Sequence, residues 1–161
     1  MSMTKILSRE EAAEFVKAAK SRRQLVGLAS GVFDLIHVGH VRYLESARSR
    51  VDVLVVSLNS DKSTRSIKGP SRPIIPETER SEMLAALECV DAVLIFDEPD
   101  VRATLRALKP DVFFKGADYT PDTVPERDVV QEYGGRVDIA GDPKNHSSTD
   151  IIARLRKAEA L

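Results

Sequence analysis

The sequence predicts a three-layer α/β sandwich built on a mainly parallel, five-stranded sheet, and three observations carry that prediction. Short apolar runs alternate with segments of helical period along the whole chain, the pattern of strands joined by crossover helices. The run Gln24 to Ala29 reads as a strand buried on both faces, as strands covered by helices on two sides must be. That run then passes through Gly31 into Val41, Leu44, Ala47 and Arg48 at helical spacing, so strand gives way to helix across a short turn.

Taken in order, a first helix begins near Ser8, where Ser8 and Glu11 have the spacing of a capping box, and continues through Ala12, Phe15, Val16 and Ala19 to about residue 21. Strands are expected at about 24–30, 52–58, 91–96, 111–115 and 136–140. Helices are expected near 40–50, 77–89, 100–108 and 126–133, with a last one from about 149. Crossovers of this kind are right-handed, and in such open sheets the ligand is expected beyond the carboxyl ends of the strands, at the switch in strand order. The expected organisation is a single domain over 1–161, with an N-terminal helix at about 8–21 and a core at about 24–158. Between 59 and 76 the chain lacks apolar periodicity and carries Lys62, Arg65, Lys68 and Arg72 with Gly69 and three prolines. A long, partly mobile loop is expected there, either a solvated connector or a cationic flap over phosphates.

Composition narrows the function. A chain of 161 residues and 17.8 kDa suits one ordinary core. A net charge of −1, a pI near 6.3 and an aromatic content of 5% leave neither a basic footprint nor stacking platforms, which argues against nucleic acid. Met1 to Leu7 has no apolar core of a signal peptide, and no apolar stretch is long enough to span a bilayer. A soluble, cytoplasmic protein acting on small substrates is expected. Cys89 is alone among Met83, Leu84 and Leu87, so it reads as a small buried hydrophobe.

Gly31-Val32-Phe33-Asp34-Leu35-Ile36-His37-Val38-Gly39-His40 carries the chemistry. It sets two imidazoles three residues apart at a helix N-terminus, where backbone N–H groups and the helix dipole favour an anion. Gly39 adds room for close approach. Metal ligation is a competing use of His37 and His40, but with one cysteine and one further histidine, His146, a closed zinc site would need carboxylates from elsewhere. No metal site is therefore expected. The glycines fit neither a G-x-G-x-x-G fingerprint nor a P-loop, so the chain is neither a dehydrogenase nor a P-loop NTPase.

With its H-x-G-H after a G-x-F-D strand end, the chain resembles the cytidylyltransferase-like nucleotidyltransferases, which have a Rossmann-like fold. Asn59-Ser60-Asp61, Lys68 to Pro73, Glu79-Arg80, Leu87 to Asp91, Lys115 to Tyr119 and Ser147 to Ile152 look, in order, like the adenylyltransferase half of the bacterial heptose kinase/adenylyltransferases. Departures are Ala29-Ser30-Gly31-Val32 at the turn, alanine at 117 for a commoner glycine, and Ser-Ser-Thr-Asp at 147–150. The resemblance implies transfer of AMP from ATP to a sugar 1-phosphate, with a cytidylyltransferase for a polyol phosphate, an FAD synthetase or a non-catalytic nucleotide sensor as alternatives. It implies catalytic His37 and His40; nucleotide contacts from Val32, Phe33, Gly39, Arg80, Lys115, Asp118, Ser147, Ser148 and Thr149; and acceptor contacts from Asp34, Asn59, Asp61, Lys68 and Arg72. Asp34 either fixes the turn or meets the acceptor. Mg²⁺ carried with the triphosphate and a homodimer are further implications. Ser147 and Asp150 also have capping spacing, which is compatible with a phosphate-binding helix start.

Overall fold

The computed structural model describes residues 5–143 and 147–160. His146 and the first four residues of the N-terminal segment lie outside the described residues. In chain order the elements are α1 (Arg9–Ser21), β1 (Val26–Gly31), α2 (Val38–Arg48), β2 (Val53–Asn59), α3 (Asp61–Lys68) and α4 (Glu77–Ala85). There follow β3 (Ala92–Phe96), α5 (Arg102–Leu108), β4 (Val112–Lys115), α6 (Arg127–Glu132), β5 (Arg136–Ile139) and α7 (Ser148–Glu159). The five strands form one sheet in the order β3-β2-β1-β4-β5, with every pairing parallel.

Side-chain alternation at period two divides the core into two layers. Val26 and Leu28 of β1, Val53 and Val55 of β2 and Phe113 of β4 point to the face covered by α1, α5 and α6. Ala29, Leu54, Val56, Leu58, Val112 and Phe114 point to the face covered by α2 and α4. Burial of each such aliphatic or aromatic side chain contributes about 1.5–3 kcal/mol, so the strands need no polar face. Gly27 is part of this packing: a Cβ there would stand 2.6 Å from the Phe114 ring, which fills the space the glycine leaves. The N-terminal helix keeps both bonds of its Ser8/Glu11 capping box and buries Ala12, Val16 and Ala19. Ahead of it, Leu7 donates its amide to the Val93 carbonyl at 2.8 Å and extends the edge of the sheet at β3.

The expected loop at 59–76 contains a helix, α3. Its apolar period is missing because the residues it buries are Ser63 and Thr64. Their hydroxyls are satisfied, Ser63 Oγ donating to the Glu98 carbonyl at 2.6 Å and Thr64 Oγ1 to the Ser60 carbonyl at 2.7 Å. The remaining signals were of the capping kind: Ser60 accepts from Ser63 N, Asp61 opens the first turn, Lys68 closes the last, and Gly69 ends the helix at φ +100°. The fourth helix ends at Ala85, four residues short of the expected 89, and a turn from Leu87 N to the Leu84 carbonyl follows.

Candidate active site

The order β3-β2-β1-β4-β5 reverses direction between β1 and β4, and ligands of open parallel sheets bind where the chain leaves the strands at such a reversal. A cleft of about 530 Å³ lies there, within the size range of small-molecule sites. Its walls come from the turn after β1, the end of β2, Lys115 to Tyr119 after β4, Ala140 to Pro143 after β5, and the start of α7.

The two histidines close the N-terminus of α2 against each other. His37 is the N-cap; its Nδ1 accepts the Gly39 amide at 3.1 Å, while His37 N donates to His40 Nδ1 at 3.2 Å. The rings stack with centroids 3.9 Å apart, and His40 meets Phe33 at 5.4 Å. Two consequences follow. Amides that would otherwise bind an anion directly are taken up by the imidazoles, so the positive end of the helix reaches the cleft through the rings. With Nδ1 an acceptor in both, the proton of a neutral ring resides on Nε2, which fixes the tautomer by the hydrogen-bond pattern.

Beneath the histidines the chain is bracketed. Phe33 and Leu35 take left-handed φ values of 50° and 52°, a conformation costing roughly 1–2 kcal/mol for a residue with a Cβ. Gly31 helps, because a Cβ there would meet the Phe33 ring at 3.1 Å. The rest of the cost is met by hydrogen bonds. Asp34, 2% exposed, accepts Ile74 N and Arg72 Nε on Oδ2 at 2.8 and 3.1 Å and Ile75 N on Oδ1 at 3.0 Å. Burial disfavours its charge, yet these amides and the guanidinium together outweigh that and lower its pKa. Its carbonyl accepts from Ser148 Oγ, tying α7 to the same turn.

Arg80 is fully buried and does not line the cleft. Its Nε donates to the Ile75 carbonyl at 2.8 Å, and Nη1 to the carbonyls of Val32 and Asn59 at 2.6 and 2.9 Å. Nη2 donates to Asp61 Oδ1 at 2.7 Å. One guanidinium thus locks together the ends of β1 and β2 and the turn before α4, and its five-donor fork is what makes this possible. Asp61 does not line the cleft either. It exchanges bonds with Glu77, each amide donating to the other's carboxylate at 2.9 Å, and so caps a helix whose own N-cap is Pro76.

Of the residues singled out in the sequence, Val32, Phe33, Asp34, His37, Gly39, His40, Asn59, Lys68, Lys115, Asp118, Ser147, Ser148 and Thr149 all border the cleft. Arg80, Asp61 and Arg72 do not, since the bracket holds the first two and Arg72 faces a neighbouring hollow. Asn59 spends its amide nitrogen on Ser63 Oγ at 3.0 Å. Ser147 caps α7 by accepting from Asp150 N at 3.0 Å. Sequence reasoning missed Arg42, Tyr43, Gly141, Asp142 and Pro143. The last three follow the carboxyl end of β5 and were open to the same strand-end argument. Burial raises the pKa of the Tyr43 phenol, which donates to the Phe114 carbonyl at 2.9 Å. Lys115 lies 3.6 Å from Glu126 Oε1, with its ammonium 5.3 Å from the Tyr119 ring centre. Cys89 is half-buried, and that burial raises its thiol pKa. Among the described residues no group of three or more His, Cys, Asp or Glu could hold a metal ion, and no helix is long and apolar enough to cross a membrane.

A parallel sheet whose switch-point crevice is walled by paired, amide-anchored histidines at a helix start has the build of an enzyme that transfers nucleotidyl groups. Sequence comparison agrees: residues 28–154 match the cytidylyltransferase-like family, and the chain belongs to it and is a nucleotidyltransferase. It is 47% identical over 152 residues to the bifunctional protein HldE of Syntrophotalea carbinolica, covering 94% of this chain and 31% of that protein. To the HldE of Geotalea uraniireducens it is 48% identical over 155 residues, covering 96% and 32%. The chain therefore spans about a third of the length of these relatives. Among solved structures, a lipopolysaccharide core biosynthesis protein from Thermoplasma volcanium superposes with a TM-score of 0.61 at 32% identity, over 72% of this chain and 93% of that one. A pantoate-beta-alanine ligase from Francisella tularensis, at 17% identity and a TM-score of 0.55 over 96% of this chain and 77% of its own, shares the fold.

Proposed function

We propose that the chain transfers AMP from ATP to a sugar 1-phosphate, with D-glycero-D-manno-heptose 1-phosphate as the acceptor, releasing ADP-heptose and pyrophosphate. The observation that carries the reading is the anchored histidine pair at the switch point, and its likeness to HldE and to a lipopolysaccharide core biosynthesis protein supports the acceptor class. An acceptor phosphate oxygen attacks the α-phosphorus in line, and the bond from that phosphorus to the bridging oxygen breaks, leaving pyrophosphate. The acceptor is already an anion near neutral pH, so no protein nucleophile or general base is needed. What the chain supplies is position and charge stabilisation. His37 and His40 donate from Nε2 to phosphate oxygens, and their Nδ1 bonds to the amides of Gly39 and His37 keep both rings oriented as charge shifts toward the leaving group. Lys115 and the start of α7 flank the nucleotide. Mg²⁺ enters as part of the MgATP substrate and neutralises phosphate charge. ATP and sugar phosphates are cytoplasmic, and the reading places the enzyme with them.

The test is pyrophosphate release from each of ATP, CTP, GTP and UTP against heptose 1-phosphate, other sugar 1-phosphates and glycerol 3-phosphate. The reading expects the highest kcat/KM for ATP with the heptose ester. A higher value for CTP with glycerol 3-phosphate would overturn it in favour of a cytidylyltransferase.

A further inference from the structure

Two charged residues outside the motifs face each other on the cleft wall. Arg42, on the second turn of α2, and Asp142, after β5, both line the cleft, with Arg42 Nη1 3.6 Å from Asp142 Oδ2. The neighbour of Asp142 fixes its position. Gly141 has φ +87°, and a Cβ there would stand 3.2 Å from Tyr43 Cα, so the loop after β5 lies directly on α2. Tyr43 is held in turn by its hydrogen bond to the Phe114 carbonyl. Arg42 follows Gly39 by three residues, and helical side chains lean back toward the N-terminus. That lean carries the guanidinium over the glycine, toward the end of α2 that His37 and His40 close.

The pairing of Arg42 with Asp142 is loose. At 3.6 Å the two groups are too far apart to share a hydrogen bond, and their side chains are 53% and 64% exposed, so the pair is screened and weak. Lys115, the cation after β4, is matched differently, because its partner Glu126 is buried. Of the two cations, Arg42 is the one that can change partners without stranding a buried carboxylate, since Asp142 returns to water.

We propose that Arg42 and Asp142 form an electrostatic latch: Asp142 holds the guanidinium at the cleft wall, and a nucleoside triphosphate takes it over by offering β- or γ-phosphate oxygens. The nucleotide assignment rests on the reading of the main cleft given above. A guanidinium grips a phosphate through paired N–H donors, a stronger contact than its loose one with the carboxylate. The two members of the latch therefore act in opposite directions. Loss of Arg42 weakens triphosphate binding, and loss of the Asp142 charge frees Arg42 and strengthens it.

The test is calorimetric titration of the full chain with an ATP analogue carrying a methylene bridge between the α- and β-phosphates, with AMP and with inorganic tripolyphosphate. Salt is kept at about 0.15 M, where charge effects beyond about 8 Å are screened. Both positions are exposed, so neither variant disturbs the core, and Arg22→Gln, at the amino ends of the strands, is the control. Arg42→Gln should weaken the analogue and tripolyphosphate about tenfold and AMP less than about twofold. Asp142→Asn should tighten the analogue and tripolyphosphate about threefold, and that gain should vanish when glutamine already stands at 42. A loss shared equally by the analogue and AMP, or no loss, overturns the proposal. So does an Asp142→Asn gain that persists in the double variant, which makes the aspartate a plain source of repulsion. If the wild-type chain binds tripolyphosphate but not the analogue, the nucleotide reading falls, and the Arg42→Gln loss on tripolyphosphate still decides the latch. Binding of neither overturns both.

Discussion

Asp34 and His37 are three residues apart on one turn, yet they belong to regions of opposite character. Asp34, with Arg80 and Asp61, lies in a buried bracket in which carboxylate and guanidinium groups are matched to amides, carbonyls and one another. His37 and His40 stand on the cleft wall, each anchored by Nδ1 to the backbone and bordering open volume. The contrast teaches that polar residues of one motif divide the labour. The bracket holds an unfavourable backbone at Phe33 and Leu35 in place, and the wall uses the geometry so held.

Removing the hub of the bracket should have the largest effect. Arg80→Met leaves the Asp61 carboxylate and three carbonyls without their donor, and we expect a loss of about 3–5 kcal/mol, seen as a fall in Tm of roughly 10 °C. A melting curve unchanged within two degrees would dissolve the distinction between bracket and wall.

Asp34→Asn sharpens it through pH. The folded pKa of Asp34 lies below its unfolded value of about 3.9. Its contribution to stability is therefore present above that value and lost as pH falls through the folded pKa. The variant should lose roughly 2 kcal/mol at pH 7 and show a shallower decline in stability below pH ~4 than the wild type. Parallel acid limbs in urea titrations of the two proteins would show that the carboxylate is not held as described.

Glu126 tests the opposite wall and should have the smallest effect. It is 7% exposed, pairs with Lys115 at 3.6 Å through Oε1 and has Oε2 buried without a partner. Glu126→Gln should raise the KM for the nucleotide about threefold to fivefold, about 1 kcal/mol, through a less firmly positioned Lys115, with kcat unchanged. A fall in kcat at constant KM would place Lys115 in the chemical step instead.

The division between bracket and wall was not legible in the sequence, although most of the fold was. Strand positions followed from apolar runs such as Val53 to Leu58, because parallel strands covered on both faces leave an unbroken hydrophobic signal. The third helix escaped because Ser63 and Thr64 fill its buried face, and a hydroxyl satisfied by a carbonyl looks like surface in a hydropathy pattern. Thirteen of the sixteen residues singled out for the site border the cleft, since strand ends converge by topology. The three that do not are Asp61, Arg72 and Arg80, all charged. A charged side chain reads the same in sequence whether it faces a ligand or a buried carbonyl, and only three-dimensional placement separates the two.

The central claim is tested most directly by measuring kcat and Tm together for His40→Ala and Arg80→Lys. The account predicts that His40→Ala lowers kcat about 10²-fold while Tm falls by no more than about 3 °C, the cost of one lost cap. Arg80→Lys, which keeps the charge and loses the fork, should lower Tm by more than about 6 °C while the folded fraction keeps most of its kcat at low temperature. The reverse pattern, with catalysis surviving the loss of His40 and failing in folded Arg80→Lys, would contradict it.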